Sequence, residues 1–233
     1  GGAGDAKEAC LRQIQLDLER TFPELQFFNA DGPYHTLLRD VLWGYSCRRP
    51  GVGYVQGMSH VAAMLLLNMG PEEAFVCMVN LLDRWHFQDF FMVSMPRVER
   101  YAHAVNTMLA RHLPKVWGHL RGLGVDSRIY LLEWWMTAFS SVLSLDAASR
   151  VWDMLIVDGP SALVQATLGL FKVLSKQLLR MDFDKALYLL THIGEAEVGA
   201  DDLVTAARSF TIDYDEFFAV VEAQHPPPPP PGP

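Results

Sequence analysis

Gly53-Tyr54-Val55-Gln56-Gly57-Met58, GYVQGM, runs directly into Ser59–Gly70, SHVAAMLLLNMG. The second stretch is almost wholly apolar and predicts a buried helix. The first breaks that pattern, because a polar glutamine stands between two glycines at the mouth of the helix. Gln56 is therefore either satisfied inside the fold or held out to meet something.

Working outward, helical patterns cover nearly the whole chain. On the N-terminal side, AKEACLRQIQLDLERTF carries Cys10, Leu11, Ile14 and Leu18 at helical spacing and is bounded by Pro23. GPYHTLLRDVLWGYSCRR runs from Pro33, suited to a first turn, to Pro50. Pro71 with Glu72 and Glu73 opens PEEAFVCMVNLLDRW, where acids favour the positive helix end. Further on come PRVERYAHAVNTMLARHLPKVWGHLRGLG, interrupted at Pro114, then RIYLLEWWMTAFSSVL and LDAASRVWDMLIVDG. PSALVQATLGLFKVLSKQLLRM, DFDKALYLLTHIG and ADDLVTAARSF complete the series. Sustained period-2 alternation and Asn-Gly hairpins are missing, so the expected fold class is all-α. The end, HPPPPPPGP, reads as polyproline II: residues 225–233 form a proline-rich tail, either solvated or a ligand for a proline-reading module.

Composition narrows the function classes. The 233 residues are 50% hydrophobic, enough for a large core in one domain or two intimate lobes. A net charge of -8 and no Lys/Arg block argue against a nucleic-acid partner. Cys10, Cys47 and Cys77 are scattered and odd in number, and read as reduced, buried thiols of a cytoplasmic protein. The apolar run ending at Gly70-Pro71 is too short for direct membrane insertion. The start shows neither a signal peptide nor an initiator methionine, so a piece of a longer protein is expected.

The common catalytic signatures are missing: no phosphate-binding loop, no nucleophile elbow, no H-E-x-x-H and no C-x-x-C. His112 and His119 could share a helix face, but no third metal ligand accompanies them. Trp134-Trp135 reads as core between neighbouring helices, and FSSVLS as a polar helical patch with no base beside either serine.

Two segments remain. IQLDLERTFP spaces Ile14, Asp17 and Arg20 as I-x-x-D-x-x-R, and YVQGM supplies Tyr54, Gln56 and Gly57 farther on. Together they resemble the paired motifs of the TBC-domain family of GTPase-activating proteins for Rab GTPases. LLEWWMTAFSSVLSLDAASRVWDMLIVDG is similar to the family's second-lobe segment, with Trp134, Leu145, Arg150, Trp152, Asp153 and Gly159 in order. The resemblance covers residues 8–220. An R-x-x-x-W element that the family carries upstream does not precede Cys10, so the most N-terminal segment of the domain is expected to be lacking.

The resemblance implies an all-helical, two-lobed domain that accelerates GTP hydrolysis on a Rab-type small GTPase. Arg20 and Gln56 would be the catalytic side chains, supplied in trans as an arginine and a glutamine finger. Asp17, Tyr54 and Gly57 would support them, with Asp17 orienting Arg20. On spacing alone, Asp17 and Arg20 form a solvated ion pair of a helix surface. Arg39, Arg48 and Arg49 read as solvated surface. No cofactor is implied for this chain, since Mg²⁺ and GTP arrive with the partner, and contact with endomembranes would come through the GTPase. The alternative is a TBC-like scaffold that binds a GTPase without stimulating it, although such a scaffold has no chemical need for Arg20 or Gln56.

Overall fold

The computed structural model describes residues 2–83, 85–92 and 94–223, the side chains of 2–6, 85 and 86 excepted. Among these residues it is helical without strands, and the chain divides into two compact units, residues 1–93 and 94–233. The proline-rich tail, 225–233, lies outside the described residues.

The first unit contains α1 (Gly2–Leu18), a 3₁₀ turn (Pro23–Leu25), α2 (His35–Arg48), α3 (Met58–Leu66), α4 (Pro71–Leu82) and α5 (Trp85–Phe91). The apolar stretch after GYVQGM is α3, and α1, α2 and α4 pack around it. Met58, Ser59 and Val61–Leu66 are all buried, so this helix is hydrophobic round its whole circumference. Pro71 starts α4 as its first residue, with Glu72 and Glu73 in the first turn. Pro33 does not start α2; it sits in the turn before Tyr34, and the helix begins at His35. Gly32 in that turn is required, because a Cβ would lie 2.2 Å from the Phe27 carbonyl oxygen.

The second unit contains α6 (Met95–His112), α7 (Pro114–Leu123), α8 (Arg128–Met136), α9 (Leu145–Asp158) and α10 (Ser161–Leu178). It continues with α11 (Phe183–Thr191), a 3₁₀ turn (Ile193–Ala196), α12 (Ala200–Arg208) and α13 (Tyr214–Glu222). Here α10 is the axis, buried along most of its length and packed on α6, α9 and α12. Gly169 allows the α10–α12 approach, since a Cβ there would stand 2.7 Å from the Ala207 backbone nitrogen. Side chains of Ser144, Asp182 and Asp213 cap the N-termini of α9, α11 and α13 by accepting backbone N–H groups.

Several expectations change. The segment RIYLLEWWMTAFSSVL is not one helix: α8 ends at Met136, and Ala138 and Phe139 take left-handed conformations at φ 45° and 66°. FSSVLS is thus a buried turn, in which Ser140 accepts a hydrogen bond from Trp152 Nε1 at 2.8 Å. The cysteines are free but not buried: Cys47 is exposed, and Cys10 and Cys77 are half-buried. His112 and His119 lie on different helices, His112 edge-on to Phe210 and His119 bonded to the Met181 carbonyl.

Candidate functional site

Helix α1 ends at Leu18, and Arg20 sits two residues beyond it rather than inside its last turn. The Arg20 N–H and the Thr21 hydroxyl both donate to the Asp17 carbonyl, at 3.2 and 2.7 Å, which folds the chain sharply off the helix. Phe22 then takes a left-handed conformation, φ 45°, before Pro23. Its ring is buried against Phe28 and, edge-on, against His60. Proline disfavours the right-handed helical region for the residue before it, which fits the departure of Phe22 from that region.

The second motif is a loop between α2 and α3. Gly53 takes φ 67° with open space around its Cα, so the glycine is there for its backbone conformation. Met58 N–H closes a four-residue turn on the Val55 carbonyl at 3.1 Å, with Gln56 and Gly57 in the middle. Gly57 has φ 99° and ψ −25°, the left-handed third position that makes glycine the natural occupant of such a turn. Gln56 is thereby placed at an exposed tip. Among the described residues its carboxamide has no hydrogen-bond partner.

Asp17 joins the two motifs. It is not solvated: only 3% of its surface is exposed. Tyr54 donates its hydroxyl to Asp17 Oδ2 at 2.6 Å, and Arg20 Nη2 donates to Oδ1 in an ion pair. Burial, with Asp17 beside it, holds the Tyr54 phenol well above its ordinary pKa, so it remains a donor at any physiological pH. The Arg20 side chain is 59% exposed while its partner is almost sealed. Among the described residues one of the guanidinium nitrogens is used, leaving the remaining donors for a partner. The arrangement therefore holds an arginine at its root and presents its charge outward.

His60, on the first turn of α3, carries no sequence signal for a role here. Among the described residues its buried Nδ1 has no hydrogen-bond partner, and burial pulls its pKa down to about 4. Arg20 pushes in the same direction, whereas the Asp17 charge opposes it. The ring is a neutral wall behind the Asp17–Arg20 pair. Of the arginines expected to be solvated, Arg39 bonds its neighbour Asp40 and Arg48 is exposed, but Arg49 is forked onto Asp83.

The family model for the Rab-GTPase-TBC domain matches residues 3–179. The chain belongs to the Rab-GTPase-TBC domain family. Relatives include TBC1 domain family member 14 of Rattus norvegicus, 40% identical over 200 residues, covering 86% of this chain and 29% of that protein. TBC1 domain family member 12 of Xenopus tropicalis is 40% identical over 189 residues, 81% of this chain and 28% of the relative. The chain thus spans under a third of the length of these relatives. The fold matches the Chlamydomonas flagellar RabGAP TBC domain with a TM-score of 0.74 at 23% identity, covering 90% of this chain and 74% of that one. The Ypt/Rab-GAP domain of Gyp1p gives a TM-score of 0.73 at 17% identity, over 92% and 74% of the two chains. In this TBC domain no described helix is long and apolar enough to cross a membrane.

Proposed function

We propose that this TBC domain accelerates GTP hydrolysis by a Rab-type small GTPase, with Arg20 and Gln56 entering the partner's nucleotide site. One observation carries the reading. The buried Asp17 carboxylate binds Arg20 from one motif and Tyr54 from the other, while Arg20 and Gln56 themselves stay exposed. A purely structural pair would direct its polar atoms inward.

Phosphoryl transfer spreads negative charge over the transferring group and the leaving oxygen, so catalysis is mainly positioning and charge stabilisation. The Arg20 guanidinium is planar, permanently charged and able to donate two bonds at once to phosphate oxygens. Anchoring by one nitrogen leaves that capacity intact. The Gln56 carboxamide can accept a hydrogen bond from the attacking water and donate one to an oxygen. Gly57 fixes the turn, and Tyr54 ties the loop to Asp17. Mg²⁺ and GTP are carried by the GTPase, which also supplies the contact with endomembranes of a chain working in the cytoplasm.

The test is single-turnover GTP hydrolysis across a Rab panel, each Rab also carrying Ala in place of its own switch glutamine. The expected result is a responsive Rab whose glutamine-less version remains responsive, and Gln56→Ala failing on both versions. A glutamine-less Rab that no longer responds, with Gln56→Ala fully active, would overturn the role of Gln56. Tight binding with no stimulation of any Rab would leave only a scaffold.

A further inference from the structure

Among the described residues the Gln56 carboxamide has no hydrogen-bond partner, so its position depends on the backbone of the loop that carries it. Two residues ahead of Gln56 the loop is tied by Tyr54 to Asp17. Its root, at the end of α2, is tied by Arg49. Arg49 is the C-terminal cap of α2, where its N–H donates to the Tyr45 carbonyl at 2.8 Å. Its own carbonyl accepts two N–H groups, from Val52 at 3.0 Å and from Gly53 at 2.8 Å. These two bonds wind the chain into the turn that delivers Gly53 at φ 67° and, immediately after it, Tyr54.

The Arg49 side chain points the opposite way, to α4. Its Nε donates to Asp83 Oδ1 at 3.0 Å and its Nη2 to Asp83 Oδ2, a two-bond fork. Asp83 is the C-terminal cap of α4, its N–H bonded to Val79. A carboxylate is ill-placed at the negative end of a helix, and a guanidinium beside it reverses that penalty. An exposed ion pair with one loose contact adds little stability, but a bidentate Arg–carboxylate pair fixes direction as well as distance. Tyr45, its phenol pKa raised by burial and by the Asp83 charge, lines the same small pocket as Arg49 and Asp83. The fork thus binds the ends of α2 and α4 and holds the root of the Gln56 loop.

We propose that Arg49, held by Asp83, is a positioning residue for Gln56 in stimulated GTP hydrolysis. The inference rests on the function proposed above. Arg49 touches no reacting atom in this account; it fixes the loop at its root, and the glutamine follows.

The test is a double-mutant cycle on a responsive Rab, read in single-turnover hydrolysis. Arg49→Ala should lower the maximal stimulated rate by about 10- to 100-fold, as expected for a misplaced catalytic group, with the half-saturating concentration little changed. Asp83→Ala should behave alike, and Arg49→Lys should recover only part of the loss because an ammonium cannot fork. In the Gln56→Ala background, Arg49→Ala should cost almost nothing further. Amide exchange should rise at Val52 and Gly53 in Arg49→Ala while α3 stays protected. Additive losses, a wild-type rate for Arg49→Ala, or α3 loosening together with the loop would each overturn the inference. Failure of the underlying function shows differently, as a wild-type chain without stimulation or a Gln56→Ala variant without effect.

Discussion

The paired motif of the first unit and the tryptophan-rich segment of the second send their polar atoms in opposite directions. In the second unit the indoles of Trp134, Trp135 and Trp152 donate inward, to the Leu190 carbonyl, Thr167 and Ser140, at 3.1, 3.0 and 2.8 Å. All three rings are at most 5% exposed. In the first unit the inward group is Asp17, and the groups it supports, Arg20 and the Gln56 turn, face solvent. Burial with satisfied polar atoms marks a residue that holds a fold together. A buried polar root with an exposed, incompletely bonded tip marks a residue held ready for a partner.

The sharpest way to break this contrast is Arg20→Ala. Stimulated hydrolysis should fall by about 10³–10⁵, the range of an arginine finger, well beyond the stability lost when the buried Asp17 carboxylate gives up its counter-charge and keeps the Tyr54 hydroxyl. Arg20→Lys should lose nearly as much, since an ammonium cannot keep the Asp17 anchor and a phosphate fork together. Binding should survive better than turnover, because the guanidinium acts chiefly on transition-state charge. Near-normal catalysis by Arg20→Ala would place this residue with the structural ones.

Trp134→Ala should show the mirror image. Removing this fully buried ring and orphaning the Leu190 carbonyl should cost about 3–5 kcal/mol of stability, read by denaturant unfolding. Hydrolysis per folded molecule should hold at temperatures where the variant is folded. A selective loss of activity without a stability change would mean that the second unit also presents a site.

His60 sharpens the contrast by pH. Its folded pKa of about 4 lies below the ordinary 6.5, so the unfolded chain binds the proton more readily across that window. Stability should be fully present above about pH 6.5 and fall as pH drops toward about 4, by at most about 3 kcal/mol. His60→Phe should flatten this contribution, measured as the melting temperature against pH. An unchanged slope would show that the ring is freely solvated. Smallest of the four, Gly57→Ala should cost about 1–2 kcal/mol, because its φ of 99° is strained for any side chain. Its effect on the stimulated rate should exceed its effect on melting.

Local chemistry was legible wherever the cause sat within a few residues. Pro71 and Pro114 marked the first residues of α4 and α7, and the absence of any polar face in the residues after Ser59 marked α3 as buried. Asp213 with Glu216 three residues on is a cap signal that could have revealed α13, which the pattern reading passed over. The end of α8 could not be read, because Ala138 and Phe139 adopt left-handed conformations that nothing in their side chains announces. The same limit hid the burial of Asp17. Asp17 shares the face of Ile14 and Leu18 on α1, and the group that meets it from across the fold, Tyr54, lies 37 positions later. Arg49 and Asp83 meet across 34 positions in the same way. The motif residues, and Asp17 as the support of Arg20, could be named from the chain; the contacts made across 34 and 37 positions could not.

The burial of α3 on every side also sets how this domain can vary. An amphipathic helix such as α12, with Leu203, Ala206 and Ala207 inward and Asp201 and Asp202 outward, has an exposed face that should tolerate substitution. Its tolerance profile should rise and fall with the helical repeat. From Met58 to Leu66 there is no such face, and only His60 is partly open. Polar replacements there should be rejected at nearly every position, giving a flat profile with no period. The Gln56 turn thus stands on a segment with buried side chains on nearly every side.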